Sequence, residues 1–169
     1  AVINPEANPE SFEAKQPAID NGAEVYAKDA YFSREQMTRE WHKVWTESWL
    51  IAGVSSDLGE VGDYFLFRVR SESIIVTKTA SGIKAFYNVC PHRGARLLTE
   101  EQGNKKVFVC PFHSWSYRHD GTLRTITDEE TFQNAVICHR PGLTPVACEE
   151  HAGLIFISMS DNPIPLKTA

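Results

Sequence analysis

Along the chain the spacing of apolar positions changes twice, and the changes mark its parts. Residues 1–30 have no steady period; Pro5, Pro9 and Pro17 interrupt any helix, and acidic and amide residues fill the gaps. Such a stretch predicts an extended, partly disordered arm. From 31 to 49 the period becomes helical. Met37, Trp41, Val44, Trp45 and Trp49 recur at three- and four-residue steps and share one face. Ser33 and Gln36 make a capping-box pair at its start, with Phe32 and Met37 as a hydrophobic staple. An indole stripe of this kind anchors a helix to a sheet. His42 falls off the stripe and is expected at the surface.

Beyond Leu50 the apolar runs shorten and turn signals multiply. Strands are expected at 50–55, 64–69, 73–79, 84–89, 106–109, 116–119, 136–139, 145–149 and 154–159. Gly59, Gly62, Ser71-Glu72 and Ser81-Gly82 punctuate the early ones, and Asp120-Gly121 supplies a hairpin turn that tolerates positive φ. The fold class that follows is mainly β, a small antiparallel barrel or sandwich over 50–166 preceded by one N-terminal helix. There is no internal repeat, no G-x-G-x-x-G and no P-loop.

Composition adds mainly exclusions. At 169 residues and 42% apolar, the chain can bury one good core with an appended arm. A net charge of −5 without a Lys/Arg run argues against nucleic acid and anionic membrane surfaces as partners. The apolar run 153–157 is too short to span a bilayer. No signal-peptide pattern opens the chain, and Ala1 in place of Met is expected from a processed or trimmed start.

The chemistry is concentrated in two short segments. Cys90-Pro91-His92-Arg93-Gly94-Ala95 and Cys110-Pro111-Phe112-His113-Ser114-Trp115 each carry one thiol and one imidazole, as Cys-x-His and Cys-x-x-His, with 17 residues between His92 and Cys110. Two thiolates and two neutral imidazoles suit an iron–sulfur cluster or zinc. A structural zinc site more often pairs Cys with Cys and His with His at short spacing, and neither pair occurs here. The other two cysteines, Cys138 and Cys148, are expected as small buried apolar residues, free in a reducing cytoplasm.

The two segments resemble the ligand loops of the Rieske domain, and the surrounding residues, over about 25–166, are similar to the α subunit of a ring-hydroxylating oxygenase. The resemblance implies loops at 90–96 and 110–117 that hold one [2Fe–2S] cluster, with Cys90 and Cys110 on one iron and His92 and His113 on the other. Respiratory members of the family tie their loops with a disulfide whose cysteines fall on Ala95 and Phe112, and their serine donor falls on Trp115. Their tyrosine donor is kept as Tyr117. Fewer hydrogen bonds to the cluster imply a low potential. Trp115 is expected to cover the cluster as an apolar lid. Arg93 and Arg96 flank the histidine edge, either guiding an acidic partner or pairing with Glu100 or Glu101. Ser114 stands where oxygenases usually carry Gly.

What the resemblance implies about function is one-electron transfer. Electrons would come from a ferredoxin or reductase and go to the mononuclear Fe(II) of a catalytic domain, in the same or a neighbouring α subunit of a trimer. That catalytic domain is not found in the chain. His113 and His119 are separated by five residues, and neither they nor His139 and His151 form a two-His, one-carboxylate triad. No catalytic residue is assigned, and aromatic ring hydroxylation would belong to the longer protein. The alternative is a free-standing Rieske ferredoxin. The long arm and the Trp-rich helix favour the oxygenase.

Overall fold

The computed structural model describes residues 28–132 and 142–169. Most of the expected arm, the strand at 136–139, Cys138 and His139 lie outside them. The chain divides into two compact units, one ending at Met37 and one beginning at Thr38.

A 3-10 turn, Lys28–Tyr31, leads into α1, Arg34–Glu40. Ser33 caps α1: its Oγ accepts the Gln36 N–H at 3.3 Å. The staple partners Phe32 and Met37 are 69% and 51% exposed.

The helix expected over 31–49 is α-helical for only seven residues. It then widens into a π-helical turn, Trp41–Trp45. The Thr46 N–H and hydroxyl both donate to the Trp41 carbonyl, each at 3.1 Å, which rewards a five-residue step. Bulky and β-branched residues in Trp41-His42-Lys43-Val44-Trp45 weaken the ordinary α-helical step. The indole stripe is not the sheet anchor expected of it, because Val44 and Trp45 are 51% and 45% exposed. Trp41 instead lies under the Arg70 guanidinium, 5.3 Å from its ring centroid, and the Trp49 indole N–H donates to the Ile164 carbonyl at 2.7 Å. His42 is exposed, as expected.

The second unit is built on antiparallel sheets. Its strands are β1 Leu50–Val54, β2 Asp63–Val69, β3 Glu72–Thr79, β4 Gly82–Tyr87, β5 Gln102–Asn104, β6 Phe108–Val109, β7 Ser116–Tyr117, β8 Leu123–Thr125, β9 Pro145–His151 and β10 Leu154–Ser158. Seven form one sheet in the order β1-β10-β9-β4-β3-β2-β5, and β6-β7-β8 form a second. Among the described residues the fold is therefore mainly β with one α-helix.

Strand β3 shows how the core is shared. It runs as five successive buried residues, Ser73–Thr77, rather than an alternation, because both of its faces are covered. Ile74 and Val76 join one core with Ala85, Val146, Ile155 and Ile157. Ile75, between them, joins another with Tyr64, Leu66, Phe86, Phe108 and Tyr117, and this second core also contains Cys90, Cys110 and Trp115. The candidate site is thus part of a hydrophobic core. The three-stranded sheet depends on one turn. Gly121 sits at φ +84°, and a Cβ there would lie 2.3 Å from the Phe86 ring, so only glycine closes this hairpin.

Candidate metal centre

Each loop repeats one backbone device. After β4 the Cys90 N–H donates to the Ala95 carbonyl at 2.8 Å, and the Gly94 N–H donates back to the Cys90 carbonyl at 2.9 Å. After β6 the Cys110 N–H donates to the Trp115 carbonyl at 2.8 Å, and the Ser114 N–H donates to the Cys110 carbonyl at 3.0 Å. Both knuckles close through a left-handed residue, Gly94 at φ 71° and Ser114 at φ 57°. Ser114 takes the glycine conformation without being glycine, at a strain of about 1–2 kcal/mol.

The two knuckles bring all seven candidate residues into one neighbourhood. Cys90 and Cys110 are 1% and 2% exposed and lie beside each other. The His92 and His113 rings stand 4.7 Å apart at 61°. Among the described residues no three His, Cys, Asp or Glu side chains converge on one point. The four stand as a thiol pair and an imidazole pair, and each pair could hold one of two metal ions.

Electrostatics follow from burial. Burial pushes the Cys90 thiol above its ordinary range, against the pull of hydrogen bonds from Tyr117 and the His92 backbone. The Tyr117 phenol is raised too, first by burial and then by Cys90, so it stays protonated. Its oxygen is 3.1 Å from Cys90 Sγ, placed to donate to a thiolate. Burial lowers His92, and the nearby His113 and Arg93 charges lower it further, which favours the neutral imidazole. His113 Nδ1 is buried and has no hydrogen-bond partner. A buried imidazole nitrogen without a partner, beside a second imidazole, fits a metal ligand.

Other residues complete the setting. Trp115, 1% exposed, stacks on His92. Arg93 and Arg96 are exposed, and Glu100 and Glu101 are engaged elsewhere, by Lys105 and Arg68 at 2.8 Å each. The ion pairs weighed for the two arginines are therefore not the ones that form. A cavity of about 360 Å³ opens against His92 and His113, with Thr127, Asp128 and Thr131 along it. A larger one, about 620 Å³, lies beside Phe86, Gly121 and Leu143, and none of the four loop residues lines it. Cys148, half-buried on β9, has its thiol pushed up to about 12, chiefly by burial.

Two residues escaped the sequence reading. Asn88, fully buried, donates through Nδ2 to Ser73 Oγ at 3.1 Å and to the Leu98 carbonyl at 2.7 Å. Its Oδ1 accepts the N–H groups of Leu97 and Leu98 at 3.1 and 2.9 Å, so it pins the exit of the first loop. Phe132 stands edge-on to His92 at 5.6 Å. Neither carries a local signal: Asn88 falls inside the strand expected at 84–89 and reads as one more strand residue, and Phe132 is far from both loops in sequence.

The model of one protein family, described as the Rieske [2Fe-2S] domain, matches residues 48–140. The chain belongs to that family. Its resident cofactor is a [2Fe–2S] cluster, and its general role is electron transfer. The carnitine monooxygenase oxygenase subunit of Escherichia coli K12 is 37% identical over 145 residues, which are 84% of this chain and 38% of that relative. A solved structure of a quaternary ammonium Rieske monooxygenase superposes with a TM-score of 0.74 at 31% identity, covering 83% of this chain and 38% of the other. Naphthalene 1,2-dioxygenase superposes with a TM-score of 0.75 at 28% identity, covering 82% and 32%. The chain thus spans less than two fifths of each of these three proteins, and its likeness is to the N-terminal part of oxygenase α subunits. No helix among the described residues is long and apolar enough to cross a membrane.

Proposed function

We propose that Cys90 and Cys110 bind one iron of the cluster and His92 and His113 the other, and that the chain is the electron-entry domain of a Rieske oxygenase α subunit. The observation that carries the ligand assignment is the pair of matched knuckles, which set two buried sulfurs together and leave the buried His113 Nδ1 without a partner. When bound, such a cluster takes up and gives back one electron at a time. The residues of the chain do the rest. The two thiols give up protons on binding, which burial otherwise makes hard for Cys90. Tyr117 holds an O–H toward the Cys90 sulfur, and Trp115 keeps water from that side. The half-buried histidines face the polar cavity beside Thr127 and Thr131, which makes theirs the edge through which electrons pass.

In this reading electrons arrive from a ferredoxin or reductase, with exposed Arg93 and Arg96 facing an acidic partner. They leave for the mononuclear iron of a catalytic domain in the same or a neighbouring subunit of a trimeric, cytoplasmic oxygenase. The relatives that share this domain are named for carnitine and for naphthalene, so the same part serves aromatic and quaternary ammonium chemistry. Aromatic ring hydroxylation is then one of two substrate classes for the longer protein rather than a property of this domain.

The test is metal and sulfide analysis of protein purified without oxygen. About two irons and two acid-labile sulfides per chain are expected, with red-brown colour. Colourless protein holding one zinc would overturn the assignment.

A further inference from the structure

The two histidines of the site are not held alike. The His92 ring lies flat against Trp115, with centroids 4.5 Å apart and planes 3° from parallel. Phe132 closes the group, edge-on to His92 at 5.6 Å and 77° and to Trp115 at 5.5 Å and 74°. Trp115 is 1% exposed, and its indole nitrogen has no hydrogen-bond partner. An unmade bond in a buried place costs stability, so contact between rings, not a polar bond, sets the plane of the indole. His113 is placed differently. Its neighbour on the outer side is Phe112, at 3.9 Å and 34°, and that ring is 60% exposed.

The loop frame alone does not fix an imidazole plane. The second side-chain torsion of histidine is broad, so a ring on a well-ordered loop can still rotate. Rotation about an iron–nitrogen bond changes the overlap of the ring with the metal, and groups around a ligand tune a metal site in this way. We propose that Trp115 and Phe132 are positioning residues for His92: together they lock its ring plane, while among the described residues His113 has only the exposed Phe112 ring and His92 itself against it. The proposal rests on His92 being a cluster ligand. It gives Trp115 a role beyond excluding water and gives Phe132 a role that its sequence position does not suggest.

The experiment is pulsed EPR of the chemically reduced, cluster-loaded chain, with iron and sulfide assayed in every sample and the reduction potential measured beside it. The variants are Trp115→Phe, Trp115→Leu and Phe132→Leu. The unaltered chain should show two nitrogen-14 couplings. Trp115→Leu and Phe132→Leu should keep their iron but shift or broaden one of the two couplings and move the potential. Trp115→Phe, which keeps an aromatic face against His92, should restore the original spectrum. Unchanged couplings in both leucine variants at full iron content would overturn the proposal. So would a Trp115→Phe spectrum as disturbed as that of Trp115→Leu, since the N–H rather than the stack would then matter. Should the buried Trp115→Leu fail to fold, the half-buried Phe132→Leu decides alone. An unaltered chain with full iron and no pair of nitrogen couplings would overturn the ligand assignment itself, and the positioning role with it.

Discussion

In the loop that begins at Cys90 and in the one that begins at Cys110, the same two backbone hydrogen bonds close around the cysteine, and the fifth residue is left-handed in both. The histidine is the third residue of the first loop and the fourth of the second, yet the two rings end 4.7 Å apart. The loops also leave differently. Asn88 pins the exit of the first through Leu97 and Leu98, whereas the second runs directly into β7 and is held by ladder bonds. The shared frame sets the sulfurs, and the one-residue offset sets the imidazoles. The unequal spacing of Cys-x-His and Cys-x-x-His is what lets two similar knuckles face each other.

The largest effect should come from removing a sulfur. Cys90→Ser and Cys110→Ser should each lose the cluster entirely, with visible absorption and iron falling together in metal analysis. A variant that kept half of its iron would break the equivalence of the two knuckles.

Next comes the device that only one loop has. Asn88→Ala removes four hydrogen bonds and leaves buried backbone groups of Leu97 and Leu98 unpaired. A loss of about 3 kcal/mol in urea unfolding is expected. A loss under about 0.5 kcal/mol, the scale of ordinary surface substitutions, would mean that the first loop needs no pin.

The left-handed residues offer a smaller, reciprocal test. Ser114→Gly should stabilise the chain by about 1 kcal/mol, and Gly94→Ala should destabilise it by about the same. A Cβ on Gly94 meets nothing within 4 Å, so its cost would be conformational alone. Equal signs for the two variants would show that the frames are not the same.

The smallest effect concerns the donor on Cys90. The potential of the unaltered domain is expected near the low end of the Rieske range, on the order of −150 mV. Tyr117→Phe removes a hydrogen bond of about 1 kcal/mol, which corresponds to roughly 40 mV for one electron. Voltammetry should show the potential falling by that order. A rise, or a starting value well above 0 mV, would contradict the hydrogen-bond account.

The mainly β fold class was legible in the sequence, and several of its individual strands were not. Cysteine and histidine at fixed offsets, with proline and glycine beside them, are local signals, and the structure folds both segments into matched knuckles. Asp120-Gly121 did the same for the β7–β8 turn. Strand β5, Gln102–Asn104, gave no signal because all three residues are exposed at the sheet edge and none is apolar. Strand β8, Leu123–Thr125, buries only Leu123, too little for an alternation to show. Asn88 depends on partners nine to fifteen residues away. The Trp41–Trp49 stripe misled for the opposite reason: its period was real, but periodicity says which residues share a face and not what covers that face.

The central claim is that two unlike iron sites are built from one thiol pair and one imidazole pair. Mössbauer spectroscopy of the iron-57-enriched chain tests it most directly. Two doublets of equal area are expected in the oxidised protein, only one of which changes markedly on one-electron reduction. A single kind of iron site, or two that respond alike to reduction, would contradict it.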